Sequence, residues 1–87
     1  MLRITRESDD GRETRLVLEG RLAGAWVGEL RRISSECARD RRRIALDLSR
    51  VTFADADGLA LLRDLLGDTA RLQRASAFVT ALLGGTP

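Results

Sequence analysis

One segment near the middle of this 87-residue chain restricts its fold more than any other. Alternating apolar residues over 44–48 predict a short strand with one buried face. A tight connection over 49–56 follows, and leucines then recur at helical spacing over 59–66. The sequence therefore predicts a buried strand that leads through a loop into a helix with acidic residues at its start.

The acidic residues at this junction are Asp55 and Asp57. A helix N-terminus presents unpaired amide groups and a partial positive charge, so a carboxylate placed there is stabilised. Aspartate is also among the best residues before a helix, so capping alone accounts for both acids. A second interpretation stays open, in which the same acids also form a recognition surface for another protein.

The rest of the chain alternates between strand and helix patterns. The predicted strands cover 2–7, 14–19, 44–48 and 70–74, and the predicted helices cover 25–39, 57–66 and 76–83. This ββαβαβα order predicts an α/β fold, a four-stranded mixed sheet with about three helices packed mainly on one face. An Asp-Gly turn over 8–12 predicts an opening hairpin, and residues 84–87 are expected to form a flexible tail.

Apolar residues in two of the predicted helices indicate which side chains enter the core. In the first helix they recur at steps of four, three and four residues, at Trp26, Leu30, Ile33 and Cys37. In the last helix the residues expected in the core are Val79, Leu82 and Leu83. Core packing is the main prediction for Trp26, and an exposed anchor for a partner is its alternative. The single cysteine, Cys37, is predicted to be a buried free thiol.

The charges of the chain are nearly balanced. Fifteen basic residues, all arginines, stand against 13 acidic ones, for a formal net charge of +2. This balance gives little support to nucleic-acid binding driven by net charge, so no nucleic-acid partner is expected. With no histidine and one cysteine, the chain cannot form a histidine-based catalytic triad, a His/Cys zinc site or an internal disulfide.

The length of the chain predicts one small domain over 1–87. A domain of this size has a thin core, which a homodimer or a protein partner would help to stabilise. No segment approaches the ~18 apolar residues that a membrane-spanning helix needs, and the N-terminus lacks the apolar run of a signal peptide. We therefore expect a cytoplasmic protein without direct membrane insertion.

The central segment also resembles the signature of STAS domains, the fold of bacterial anti-sigma factor antagonists and of accessory domains in some transporters. The matching residues are Asp47, Leu48, Ser49, Val51, Phe53, Asp55, Gly58 and Leu59. Two serines of the family pattern are replaced by Ala56 and Asp57. In the switch-type members the second serine is phosphorylated by the partner kinase, so Asp57 occupies the phosphoacceptor position and cannot be phosphorylated as a serine. Compared with typical STAS domains, the C-terminal end looks short.

The resemblance implies a non-catalytic protein-interaction module without a cofactor. The partner-binding residues that it implies lie in the loop and the following helix, at Thr52, Asp55, Ala56, Asp57, Gly58, Leu59, Ala60 and Arg63, with Asp64 beside them. The partner would be an anti-sigma factor, such as a GHKL-type kinase. The alternative is an accessory subunit of an ABC-type lipid-transport ATPase, because the same stretch is similar to the STAS subunit of the Mla complex.

Three other interpretations of these motifs are weaker. Asp55 and Asp57 resemble the first motif of HAD-type phosphatases, but the chain has no lysine and no later paired-acid motif for that chemistry. An EF-hand calcium loop that began at Asp55 would need glycine at its sixth position and glutamate at its twelfth. The chain has Ala60 and Leu66 at these positions, so it does not fit that motif. The run 41–43 of three arginines could contact phosphates, but in a chain so rich in acidic residues it is expected to be a solvated link before a strand.

Overall fold

The computed structural model describes residues 1–8 and 12–84. Its strands are β1 (Leu2–Ser8), β2 (Glu13–Leu22), β3 (Arg43–Ala54) and β4 (Ala70–Ala75), and its helices are α1 (Ala25–Arg39), α2 (Ala56–Asp68) and α3 (Ala77–Gly84). The predicted α/β class and element order are confirmed. Residues 9–11 of the expected turn and 85–87 of the expected tail lie outside the described residues, whereas Gly84 is the last residue of α3.

The four strands form one mixed sheet in the order β1-β2-β3-β4. β1 runs antiparallel to β2, whereas β3 pairs in parallel with β2 on one side and with β4 on the other. The pairing of Leu22 with Ala54 brings the carboxyl ends of β2 and β3 side by side. Because α1 and α2 follow these two strands, both helices begin at the same edge of the sheet.

All three helices contribute buried side chains to one hydrophobic core. The strands supply mainly Leu16, Leu18, Leu22, Ile44, Leu46, Leu48 and Val51, and the helices supply Val27, Leu30, Ile33, Cys37, Leu61, Leu62, Leu65 and Val79. Cys37 is fully buried as a free thiol, as predicted. Leu82 and Leu83 are only partly buried and pack against the core. None of the helices in the described part of the chain is both long and apolar enough to traverse a lipid bilayer.

β2 is longer than the predicted strand because it continues through Gly20. That glycine adopts φ 108°, and a Cβ at the position would lie 2.5 Å from the carbonyl oxygen of Met1. The pairing with β3 shifts register between Gly20 and Arg21. A glycine that looks like a strand end in the sequence therefore forms an irregularity inside the strand, which only a residue without Cβ can adopt.

β3 also extends beyond its predicted end, through the exposed residues Ser49 and Arg50 to Ala54. The side chain of Asp47 accepts hydrogen bonds from the amide and the hydroxyl of Ser49 at 3.0 and 2.7 Å. The pairing shifts register in the same region. The alternating pattern is lost there because the strand is irregular, although it does not end.

The predicted burial of Trp26 is wrong. Its side chain is 38% exposed, and Val27 occupies the core position instead. Both residues fit an apolar stripe with Leu30, at steps of four and three, so periodicity alone did not decide between them. Gly67 likewise remains within α2, which continues to Asp68 instead of ending at Leu66.

Candidate functional site

Asp55 joins the starts of the two neighbouring helices. It is the N-cap of α2, and its Oδ1 accepts a hydrogen bond of 2.7 Å from the amide of Gly58. Its Oδ2 accepts one of 3.0 Å from the amide of Gly24, immediately before α1. These two amides, Gly24 first, lower the pKa of Asp55 because they stabilise the charged carboxylate. One side chain thus fixes the first turn of α2 against the β2–α1 connection.

The backbone around this cap is closely packed against the end of β2. The amide of Asp55 donates to the carbonyl of Leu22 at 3.1 Å. Gly58 is buried, and a Cβ on it would lie only 2.6 Å from the same carbonyl oxygen. Because it has no side chain, Gly58 lets the start of α2 lie close to β2. Its contribution to the site is to position this helix.

Five residues of the predicted set are exposed, and we call them the β3–α2 surface: Thr52, Ala56, Asp57, Ala60 and Arg63. Asp57 lies in the first turn of α2, where a negative charge complements the helix dipole. Asp55 and Leu59 are only partly exposed, and Asp64 is exposed one residue beyond Arg63. The predicted residues therefore divide into a supporting group around Asp55 and a group available for contact.

Two aromatic side chains near this edge, Trp26 and Phe53, are not among the predicted partner-binding residues, although an exposed anchor for a partner was the alternative for Trp26. Trp26 lies in the first turn of α1, two residues after Gly24. The guanidinium of Arg21 lies 4.5 Å from the ring centroid of Phe53, within the range of a cation–π interaction. Phe53 in turn stacks on Phe78 of α3, with ring centroids 6.2 Å apart. The sequence did contain one indication that Trp26 could be exposed: the adjacent Val27 is also apolar and could take its place in the buried stripe of α1.

Asp47, in the strand motif, performs a structural role. It is 4% exposed, and its Oδ2 accepts a hydrogen bond of 2.7 Å from the guanidinium of Arg15. Burial raises the pKa of Asp47, but the hydroxyl and amide of Ser49, together with Arg15, outweigh it and hold that pKa below its usual value. Arg15 also bonds Glu7 and Gln73, so the network links all four strands.

The geometry of Asp55 argues against the phosphatase interpretation. Both carboxylate oxygens already accept backbone amides, so an attack by either one would break the contacts that fix the helix starts. Among residues 1–8 and 12–84, no group of three or more His, Cys, Asp or Glu side chains is arranged to hold a metal ion. What this edge offers is two helix starts joined by one carboxylate, with exposed charges, small side chains and a tryptophan among their residues.

No model of a protein family matches the sequence, and no curated protein matches it. The structure, however, is similar to that of the anti-sigma factor antagonist SpoIIAA in its unphosphorylated form. The TM-score is 0.69 at 20% sequence identity, over 98% of this chain and 84% of that chain. It is also similar to an anti-sigma factor antagonist STAS domain from Rhodobacter sphaeroides. There the TM-score is 0.62 at 26% identity, over 92% of this chain and 90% of the other.

The two similarities extend over nearly all of the chain, so they concern its whole architecture and not one motif. The resemblance seen in the sequence around residues 47–59 is thereby confirmed at the level of structure. The chain has the fold of the STAS domains found in anti-sigma factor antagonists.

Proposed function

We propose that this protein is a non-catalytic interaction module that acts as an anti-sigma factor antagonist and binds a regulatory protein through the β3–α2 surface. The observation that carries the proposal is the exposed Asp57 on a helix start that Asp55 holds rigid. The similarity to two anti-sigma factor antagonists supports the same conclusion. A preorganised surface favours binding because little conformational freedom is lost on association.

The β3–α2 surface combines features that suit protein recognition. Ala56 and Ala60 have small side chains, which allow close approach of a partner backbone. Asp57 and Arg63 supply opposite charges that would fix orientation more than they add affinity. Trp26, at the start of α1 on the same sheet edge, is the residue type that most often anchors an interface.

Asp57 also determines how such binding is regulated. A phosphoserine carries a charge of about −1.5 to −2 at neutral pH, whereas a neutral serine carries none. Asp57 has a permanent single charge and no hydroxyl to phosphorylate. The site is therefore fixed in one electrostatic state, and binding at it is constitutive or regulated elsewhere.

The partner can be identified by affinity capture from the native host, with wild-type protein and Asp57→Arg as baits. The matched control is Asp68→Arg, which reverses a charge at the other end of α2. We expect one specific protein to be retained by wild type and by the control and lost with Asp57→Arg. Identification of that protein as an anti-sigma factor or GHKL-type kinase supports the proposal, and an ABC ATPase subunit supports the transport alternative.

A second experiment tests the absence of a phospho-switch. The purified protein is incubated with ATP and the captured kinase, and its intact mass is measured. We expect no phosphate to be incorporated. A phosphorylated residue in the β3–α2 surface, with Thr52 the available hydroxyl, would contradict the proposal.

A further inference from the structure

A recess lies at the end of the sheet opposite to the β3–α2 surface. It is a cleft of about 500 Å³ between the last turns of α1 and α2 and the first residues of β3 and β4. This volume is within the ~300–1,000 Å³ typical of small-molecule sites. The charged residues that line it are Arg41, Arg42, Arg43, Arg71, Glu13 and Asp68. Four guanidinium groups against two carboxylates give the lining a positive formal charge.

The backbone that carries the arginines is held in place by hydrogen bonds. The amides of Arg41 and Arg42 donate to the carbonyls of Ala38 and Cys37 at 3.0 and 2.9 Å. The amide of Arg43 donates to the carbonyl of Arg12 at 2.8 Å. Arg41 and Arg43 are exposed, as expected of a solvated link before a strand, and these backbone hydrogen bonds fix the run at the edge of the cleft.

These arginine side chains are not needed to satisfy the helix ends. The last carbonyls of α1 already accept backbone amides, and Leu65 near the end of α2 accepts the amide of Thr69 at 3.0 Å. Within the described part of the chain, Arg41 and Arg43 form no ion pair. Arg71, by contrast, is oriented by a bidentate contact of 3.1 Å with Glu13.

Arg41 occupies a backbone position that favours glycine. Its φ is 57°, in the left-handed region that other L-residues rarely adopt. Directly after a helix this conformation is most often taken by glycine. Arg41 thus places its charge among the residues lining the cleft, at a position where glycine would fit the backbone with less strain.

We propose that this cleft binds a small polyanion, a molecule with at least two closely spaced phosphate or carboxylate groups. Guanidinium groups suit such ligands because their fixed N–H fork matches two oxygens of one anionic group. Arg41 and Arg43 provide two such forks on either side of Arg42. Ala38, Ile44 and Ala70 add apolar side chains to the lining, and apolar neighbours strengthen the attraction because they reduce the contact of a bound anion with water.

The test uses isothermal titration calorimetry of the full chain with pyrophosphate and, separately, with citrate. We expect one binding site for at least one of them; pyrophosphate would identify phosphate-type and citrate carboxylate-type recognition. The double variant Arg41→Gly/Arg43→Gln should bind roughly a hundredfold more weakly, about tenfold for each charged contact. The charge-matched control Arg3→Gln/Arg31→Gln should bind as wild type does.

Two further measurements test whether the anion binds in the cleft and whether Arg41 is needed for stability. The first separates a defined site from diffuse charge attraction, and the second separates a binding role of Arg41 from a structural one. Amide NMR signals of 41–43 and 69–71 should shift on titration, while those of 52–60 should not. The midpoint of thermal unfolding of Arg41→Gly should be equal to or above that of wild type, since glycine relieves the backbone strain. No binding of either anion, equal loss in the control variant, or shifts located elsewhere would overturn the proposal.

Discussion

The amide of Gly24 donates a hydrogen bond of 3.0 Å to Oδ2 of Asp55, a residue 31 positions later in the chain. Oδ1 of the same carboxylate caps α2 through the amide of Gly58. The starts of α1 and α2 are therefore held together by one side chain. The position of the β3–α2 surface therefore depends on a residue that is itself only partly exposed.

Replacement of Asp55 by alanine removes both hydrogen bonds at once. We expect Asp55→Ala to lower the urea midpoint of unfolding and to weaken partner binding together, because the first turn of α2 loses its cap. Asp55→Ser should show an intermediate loss, since its shorter side chain can cap α2 but does not bridge to Gly24. An Asp55→Ala protein with wild-type stability would contradict this role.

Gly58 and Gly67 provide a matched pair of helical glycines within α2. A Cβ at residue 58 would lie 2.6 Å from the Leu22 carbonyl oxygen, whereas a Cβ at 67 would meet nothing within 4 Å. We expect Gly58→Ala to destabilise the fold by about 1–3 kcal/mol through overpacking. Gly67→Ala should stabilise it by about 0.5–1 kcal/mol. Urea unfolding of both variants measures the change in the free energy of unfolding. A change in the same direction for both variants would refute the prediction.

Asp47 should be more important for stability than for binding. Its replacement by alanine leaves Ser49 and Arg15 without their buried acceptor, a loss of about 1–3 kcal/mol. We expect Asp47→Ala to lower stability by that amount in urea unfolding while partner binding of the folded protein is retained. Glu7→Gln, at the exposed end of the same network, should change stability far less.

The lowered pKa values of Asp55 and Asp47 predict a loss of stability in acid. In the unfolded chain the pKa of these groups is about 3.9, so the unfolded state binds protons more readily than the folded state. Their contribution is therefore fully present above about pH 5 and is lost as the pH falls through the lower folded values. Urea unfolding at several pH values should show a shallower acid dependence for Asp55→Asn than for wild type. An equal or steeper dependence would show that Asp55 does not contribute.

Trp26 and Val27 are adjacent residues with opposite expected effects. Trp26 is exposed at the start of α1, whereas Val27 is buried in the core. We expect Trp26→Ala to weaken partner binding by about 2 kcal/mol with a small change in unfolding midpoint. Val27→Ala should lower the midpoint more and leave the affinity of the folded protein unchanged. Binding titrations and thermal unfolding of the two variants separate these outcomes.

Much of the secondary structure followed from local patterns. The predicted helix 25–39 coincides with α1, and the order of all seven elements is confirmed. The errors lie where a residue's conformation depends on distant groups. Gly20 continues β2 because its backbone packs against Met1, and no property of residues 18–22 alone indicates that contact.

The sequence by itself placed two acids at a helix start and determined the order of strands and helices, because periodicity and capping depend on residues within a few positions of one another. Only the tertiary structure decided that Asp55 holds two helices, that Val27 and not Trp26 enters the core, and that three arginines border a cleft. These outcomes depend on how α1 and α2 are rotated against the sheet. That rotation is fixed by packing between segments that are far apart in the chain.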